Sequence, residues 1–446
     1  MFRIPTRFKI SIFIIAIQSL LYASGPTTNV TYAMRYDTTG YPKDFKVYLS
    51  CIDLSDNHLA WERRIDEDIN AFSILENGNL AFMYTAAVGR YFSKVEEYDP
   101  QANRAWQIIE TEGSGPKACI GYPGKLFVQV AHAKFTAEEI KRQHRRLSPY
   151  SYAGFEVYDR GNNHRHQATL RLGNSDIIDD VAFNYKTGRI YALTTPMDLD
   201  DPRHPRGVRR NDLGLTYLHI ISTTANTLAQ KVDLTDYFLI ARGITQIDNL
   251  IYIKASSPLS AIKNFEDQNN KDMELALKGL PDELKGYLGK YADLDLSNKF
   301  WAYITPRLRQ IEATRTTENR TQYKPNNSDT MFVFRDLPFE LVATFSIGTK
   351  QPISRMISAP DDNLIILENR APMGSFFATL LFLDIKTKTI TTSIDVSGYN
   401  TMEYVGNHKL LVSTRTKLII FNTTTLTVEK EYPGFYTAIS RIFGDA

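Results

Sequence analysis

The chain has 446 residues, 52 lysines and arginines against 50 aspartates and glutamates, and 43% hydrophobic residues. A formal charge of +2 excludes the strongly basic balance of a dedicated nucleic-acid binder. The apolar fraction excludes a disordered or fibrous chain, and the two cysteines cannot staple a polypeptide this long, so its core must hold itself.

Arg3, Arg7 and Lys9 precede an apolar run, Ile10–Leu21, followed by the small residues Ala23, Ser24 and Gly25. A basic start, a short apolar stretch and small residues form the layout of a secretory signal peptide, here 1–24. The run is too short to span a bilayer, which takes roughly 20 residues. No second apolar stretch of that length follows, so the mature chain is expected to lack a transmembrane segment and to be secreted or periplasmic. Export would make the Asn29, Asn319, Asn326 and Asn422 sequons relevant in a eukaryotic host.

Three strands are expected in 29–66 (VTYAMRY, FKVYLSCIDLS, HLAWERRI). From there a unit recurs. An apolar strand enters a polar turn, a second strand follows, then a loop, a third strand ending in a turn rich in Asn, Thr and Lys, and a fourth strand. The clearest copies are Ile353–Ser397 (ISRMISAPDDN, LIILENRA, FFATLLFLDIKTK, TITTSIDVS) and Thr401–Gly434 (TMEYVGNHK, LLVSTRT, KLIIFNTTT, LTVEKEYPG). A period of roughly 40 residues fits four-stranded propeller blades. The units fall at 69–110, 116–171, 177–233, 237–347, 352–397 and 400–433. The N-terminal strands and one strand in Tyr436–Phe443 then make a seventh blade. The expected architecture is an all-β, seven-bladed β-propeller over 29–445, closed by its two terminal segments, so that no open edge is left at the closure. On this scheme Cys51 and Cys119 lie two blades apart and are expected as buried free thiols, since a disulfide needs Cα atoms within about 7 Å.

Three units are stretched between their second and third strands, at His132–Tyr152, Pro196–Gly214 and Ser257–Asp329. Such connections leave a blade on the side where consecutive blades are linked, so all three insertions are expected on one face of three neighbouring blades. Long loops presented by a rigid scaffold commonly carry function. The largest has helical signals. Leu284, Tyr287, Leu288 and Tyr291 form one stripe after Pro281, and Asp282 and Glu283 suit a helix start, so a helical cap is expected over 257–329 in blade four.

The repeat resembles the YVTN/lactonase-type propeller repeat. The segment Ala359-Pro360-Asp361-Asp362-Asn363-Leu364 and the strand end Leu383-Asp384 match its turn-and-strand pattern, without that pattern's turn glycine at 362. The resemblance implies blades across most of 30–445. It also implies that carboxylates and amides around the axis can hold a divalent metal, Ca or Mg, as in lactonase-type enzymes.

Two groups of residues are candidates for function. Arg142, Arg145 and Arg146, with Lys141 and His144, fall in the first insertion; Arg206, Arg209 and Arg210, with Arg203 and His204, fall in the second. Arginine clustered on one face suits carboxylate or phosphate recognition, hence an anionic partner such as a protein, a glycan or another anionic ligand. Asp68, Asp176, Asp179 and Glu403 border first strands, where oxygen ligands can converge on a metal. His164 and His166 form an H-x-H pair that a strand would place on one face. No G-x-S-x-G, H-E-x-x-H, P-loop or C-x-x-C-H motif occurs. The leading expectation is an exported, non-catalytic binding or scaffold module acting through the insertion-bearing face, with no cofactor. The alternative is a divalent-metal-dependent, lactonase-like hydrolase with its site at the central channel.

Overall fold

The computed structural model describes residues 29–40, 44–65, 69–84, 94–134, 150–172, 177–195, 216–234, 241–255, 330–348, 355–370 and 377–439, together with 274–275, 277–285, 303, 307 and 353. Within these residues the chain forms seven four-stranded antiparallel sheets. Strands within a blade are lettered a to d from the axis outward.

Blade one is Ile69–Ile74, Leu80–Tyr84, Lys94–Asp99 and Arg104–Glu110. Blade two is Ser114–Tyr122, Lys125–Lys134, Tyr150–Asp159 and Arg165–Arg171. Blade three is Ile177–Asn184, Arg189–Thr195, Tyr217–Ser222 and Thr227–Asp233. Blade four is Ala241–Ile247, Leu250–Ala255, Thr330–Arg335 and Glu340–Ser346. Blade five is Arg355–Ala359, Leu364–Arg370, Phe377–Asp384 and Thr389–Ser397. Blade six is Tyr399–Tyr404, Lys409–Thr414, Lys417–Asn422 and Thr427–Pro433. Blade seven takes strand a from the C-terminal Phe435–Ile439 and strands b to d from Val30–Gly40, Asp44–Asp53 and His58–Ile65.

The turns explain why this repeat folds as blades. Strand c ends in a residue whose side chain accepts backbone N–H groups of the following turn: Asp99 from Gln101 and Ala102, Asp384 from Lys386 and Thr387, Asn422 from Thr424 and Thr425, Ser222 from Ala225. The turn closes on a left-handed residue, Asn103, Asn226, Lys388 or Leu426. Short polar side chains at these positions supply the turn's missing acceptors. Strand d then carries one extra residue in every blade: Ala60, Trp106, Gln167, Ala229, Val342, Thr391 and Glu429. A bulge twists an outer strand and spoils it as a template for further pairing.

Burial falls from the axis outward. Strand b of blade six is buried at every position, whereas its strand d is exposed at most of them. The apolar side chains collect in seven cores, one at each junction between neighbouring blades. Each fully buried Leu, Ile or Phe there contributes roughly 1.5–3 kcal/mol. Cys51 belongs to the seven–one core and Cys119 to the one–two core, so the two thiols are buried, free and apart.

The expected helical cap finds little support. In 257–329 the described residues include one complete α-helix, Asp282–Lys285, with Leu280 and Leu284 buried; Tyr287, Leu288 and Tyr291 lie outside the described residues. The signal peptide reading of 1–24 also lies outside them. Among the described residues no helix is long and apolar enough to cross a membrane.

Candidate functional site

The two faces of the propeller are built differently. On one, the a–b and c–d turns emerge, and these are short. Among the described residues they are tied from blade to blade by polar side chains at six junctions, the seven–one junction through Arg63 Nη1, which donates to Pro100 O at 2.7 Å. Lys125 donates to Thr223 O, Thr224 O and Asn226 Oδ1 of blade three, at 2.8–2.9 Å. Arg189 reaches Asp336 of blade four at 3.1 Å. Lys409 reaches Asn57 of blade seven at 2.6 Å. Asp362 accepts from Thr423 and Thr424 of blade six and pairs with His408. Arg160 of blade two reaches back to Glu76 and Glu97 of blade one. Lys125, Arg189 and Lys409 are each the first residue of strand b, which places a cation beside the next blade's c–d turn.

The opposite face receives the b–c connections and the links between blades. The three longest b–c connections, 135–149, 196–216 and 256–329, join strands of blades two, three and four. At this end strand a is also irregular. Blades one, two, three, six and seven carry one extra residue in strand a, namely Asn70, Lys117, Asp179, Asn400 and Thr437. Blade four carries one in the Arg242–Gly243 pair. A Cβ at Gly243 would lie 2.6 Å from Met356 Cγ, so blade four accommodates its bulge only by packing bare backbone on blade five. The a strands of neighbouring blades pack on one another, so the bulges recur at one end of the propeller. Bulges recur beside functional sites because they re-aim a side chain and interrupt regular pairing.

Blade five has no such bulge and places a charge there instead. Arg355, the first residue of its strand a, donates to Thr401 Oγ1 at 3.0 Å, Met402 O at 2.7 Å and Glu403 Oε1 at 2.5 Å on blade six. Burial works against the Arg355 charge, but Glu403, Tyr399 and Asp180 together hold its pKa above the ordinary arginine value. Asp180 accepts the Ile244 N–H of blade four at 3.1 Å, and Tyr399 donates to the buried Glu368 at 2.5 Å. Asn400 donates to Tyr436 O at 2.6 Å, tying blade six to the closing strand. At this end Asp180 thus ties blade three to four, Arg355 blade five to six and Asn400 blade six to seven.

The residues expected to act are placed unevenly. Arg142, Arg145, Arg146, Arg206, Arg209 and Arg210 lie outside the described residues, as do Asp68 and Asp176. Asp179 is the bulged residue of blade three. Glu403 is buried and engaged by Arg355. The histidine pair does not share a strand face. His164 sits in the turn before strand d of blade two and binds Glu97 at 2.7 Å, whereas His166 lies on the strand, 3.0 Å from Thr169. Sequence reasoning overlooked Arg355. The available signal was a polar residue interrupting the apolar start of a first strand, visible as Ser-Arg-Met.

No protein-family model matches the chain, and no curated protein sequence does, so the YVTN/lactonase resemblance rests on blade motifs alone. Solved structures similar in arrangement include Kuenenia stuttgartiensis hydrazine synthase (8% identity, TM-score 0.47, covering 92% of this chain and 94% of that one). Kluyveromyces lactis Hsv2 is similar at 8% identity and TM-score 0.45, over 90% and 99% of the two chains. Saccharomyces cerevisiae Sqt1 is similar at 8% identity and TM-score 0.45, over 92% and 84%.

Proposed function

We propose that this propeller is a non-catalytic binding module, exported to the periplasm or outside the cell, whose ligand-binding surface is the insertion-bearing face. The observation that carries this reading is the asymmetry of the two faces. One is closed by short turns that are cross-tied at six junctions among the described residues. The other receives the three longest b–c connections, from blades two, three and four. A rigid scaffold that varies only one face is built to present that face. The arginines of the first two insertions supply the charge for an anionic partner, a protein or a glycan. Arg355 supports binding over metal-assisted hydrolysis, because it already neutralises Glu403 where a divalent ion would need free carboxylate oxygens.

The test uses the full mature chain and a variant with 135–149 and 196–215 replaced by short Gly-Ser turns. Heparin and anionic lipid vesicles serve as probes at physiological ionic strength, alongside a neutral glycan. The intact chain is expected to retain an anionic probe and the variant to lose at least about tenfold in affinity, with unchanged melting. Equal retention by both, or none by the intact chain, would refute the anionic-ligand reading.

A further inference from the structure

We propose that Glu76 is the proton acceptor of a pH-sensitive latch joining blades one and two. Glu76 lies in the a–b turn of blade one, and its side chain is 7% exposed. Arg160 donates to its Oε1, while Oε2 is buried with no hydrogen-bond partner. Glu97, on strand c of the same blade, is fully served. It accepts from Arg160 Nε at 3.2 Å and Nη2 at 2.5 Å, from Asn79 at 2.7 Å, from Asn77 at 3.3 Å, and binds His164 Nε2 at 2.7 Å. From blade two the backbone of Gly121 closes over Glu76, so tightly that a Cβ there would lie 1.8 Å from Oε2. Cys119 of blade two also lies within electrostatic reach of Glu97.

The charged and titratable groups around Glu76 are therefore Arg160, Glu97 and His164. Two carboxylates share one guanidinium. With the imidazole neutral, the cluster holds one excess negative charge out of water, which is costly unless a proton removes it. The two carboxylates divide their roles by contact. Five donor atoms keep Glu97 ionised, whereas Glu76 has only Arg160 and its own backbone N–H, and one orphaned oxygen. Burial pushes Glu76 above the usual carboxylate range, with Arg160 opposing and Glu97 adding to the rise. A folded-state value above the unfolded one means that the folded chain binds the proton more tightly. The latch is therefore tightest in mild acid and loosens as pH rises through the folded value. Proton uptake from solvent leaves Arg160 bound to Glu97 and removes the charge that no other group balances.

The experiment compares the full chain with Glu76→Gln, which mimics the neutral carboxyl. Thermal melting is followed between about pH 5 and about pH 8. The wild type is expected to lose at least about 2 °C relative to the variant over that interval, and the variant to be the more stable at the alkaline end. In the wild type, the carboxyl carbon signal absent from the Glu76→Gln spectrum should titrate above the usual carboxylate range, in step with the loss of melting temperature. A constant difference in melting, a Glu76 signal that does not move, or titration at the His164 ring in its place would overturn the proposal.

Discussion

Replacing Arg160 with methionine tests how the one–two junction is held. Arg160 is 11% exposed and Glu97 1%, so solvent screens their interaction little. Burial alone would raise the Glu97 pKa, but His164, Arg160 and Asn79 bring it down to about 2. Against an unfolded value of about 4.3, that difference is worth about 3 kcal/mol at neutral pH for His164, Arg160 and Asn79 together. Arg160→Met removes the Arg160 share and should therefore lower the unfolding free energy by about 1–3 kcal/mol near pH 7, read from urea denaturation followed by circular dichroism. The sign of the pH dependence follows from the lowered value. The Glu97 contribution is complete above the unfolded value and is lost as pH falls towards about 2, so the gap between the two proteins should shrink to about half by about pH 3. A loss below about 1 kcal/mol, or one that stays constant on acidification, would refute the claim that this cluster holds Glu97 ionised across the junction.

Truncation after Pro433 removes strand a of blade seven and with it the buried Tyr436 and Ile439; size-exclusion chromatography should show aggregation or loss of the folded species, and an unchanged monomer would contradict closure by this strand. Gly121→Ala should cost about 1–3 kcal/mol by the urea midpoint, because its Cβ meets both the Glu76 carboxylate and, at 3.2 Å, the Glu76 backbone nitrogen. Neither cysteine should react with Ellman's reagent in the native chain, since both are buried and burial pushes Cys51 up to about 11; both should react in denaturant, and a native thiol modified within minutes would contradict their burial.

How much of this was legible along the chain is clearest at the turns. Asp99, Asp384 and Asn422 close strand c by capping the backbone two or three residues ahead, a local act that leaves a local pattern. The repeat, its four strands and the count of seven blades follow from such local chemistry, as does the position of the long connections between strands b and c. The contacts between first strands of neighbouring blades were not legible in this way. Asp179 and Glu403 stood out by charge next to a first strand, but Arg355 looks like an ordinary surface residue until the first strands are brought around one axis. The junction clasps are similar. Lys409 and Asn57 are 352 residues apart in sequence and 2.6 Å apart in space.

His164 shows the same division within a single motif. Its spacing from His166 suggested a shared strand face, yet the chain turns at Asn163 and His164, both left-handed, and sends His164 into the neighbouring blade. Local periodicity and turn chemistry act within a few residues, so the sequence by itself determined the strands, the turns and the number of blades. Which polar side chains meet, which carboxylate keeps its proton and which blades are clasped together were decided only by tertiary structure. Those outcomes depend on distances between blades, and no single blade's sequence contains them.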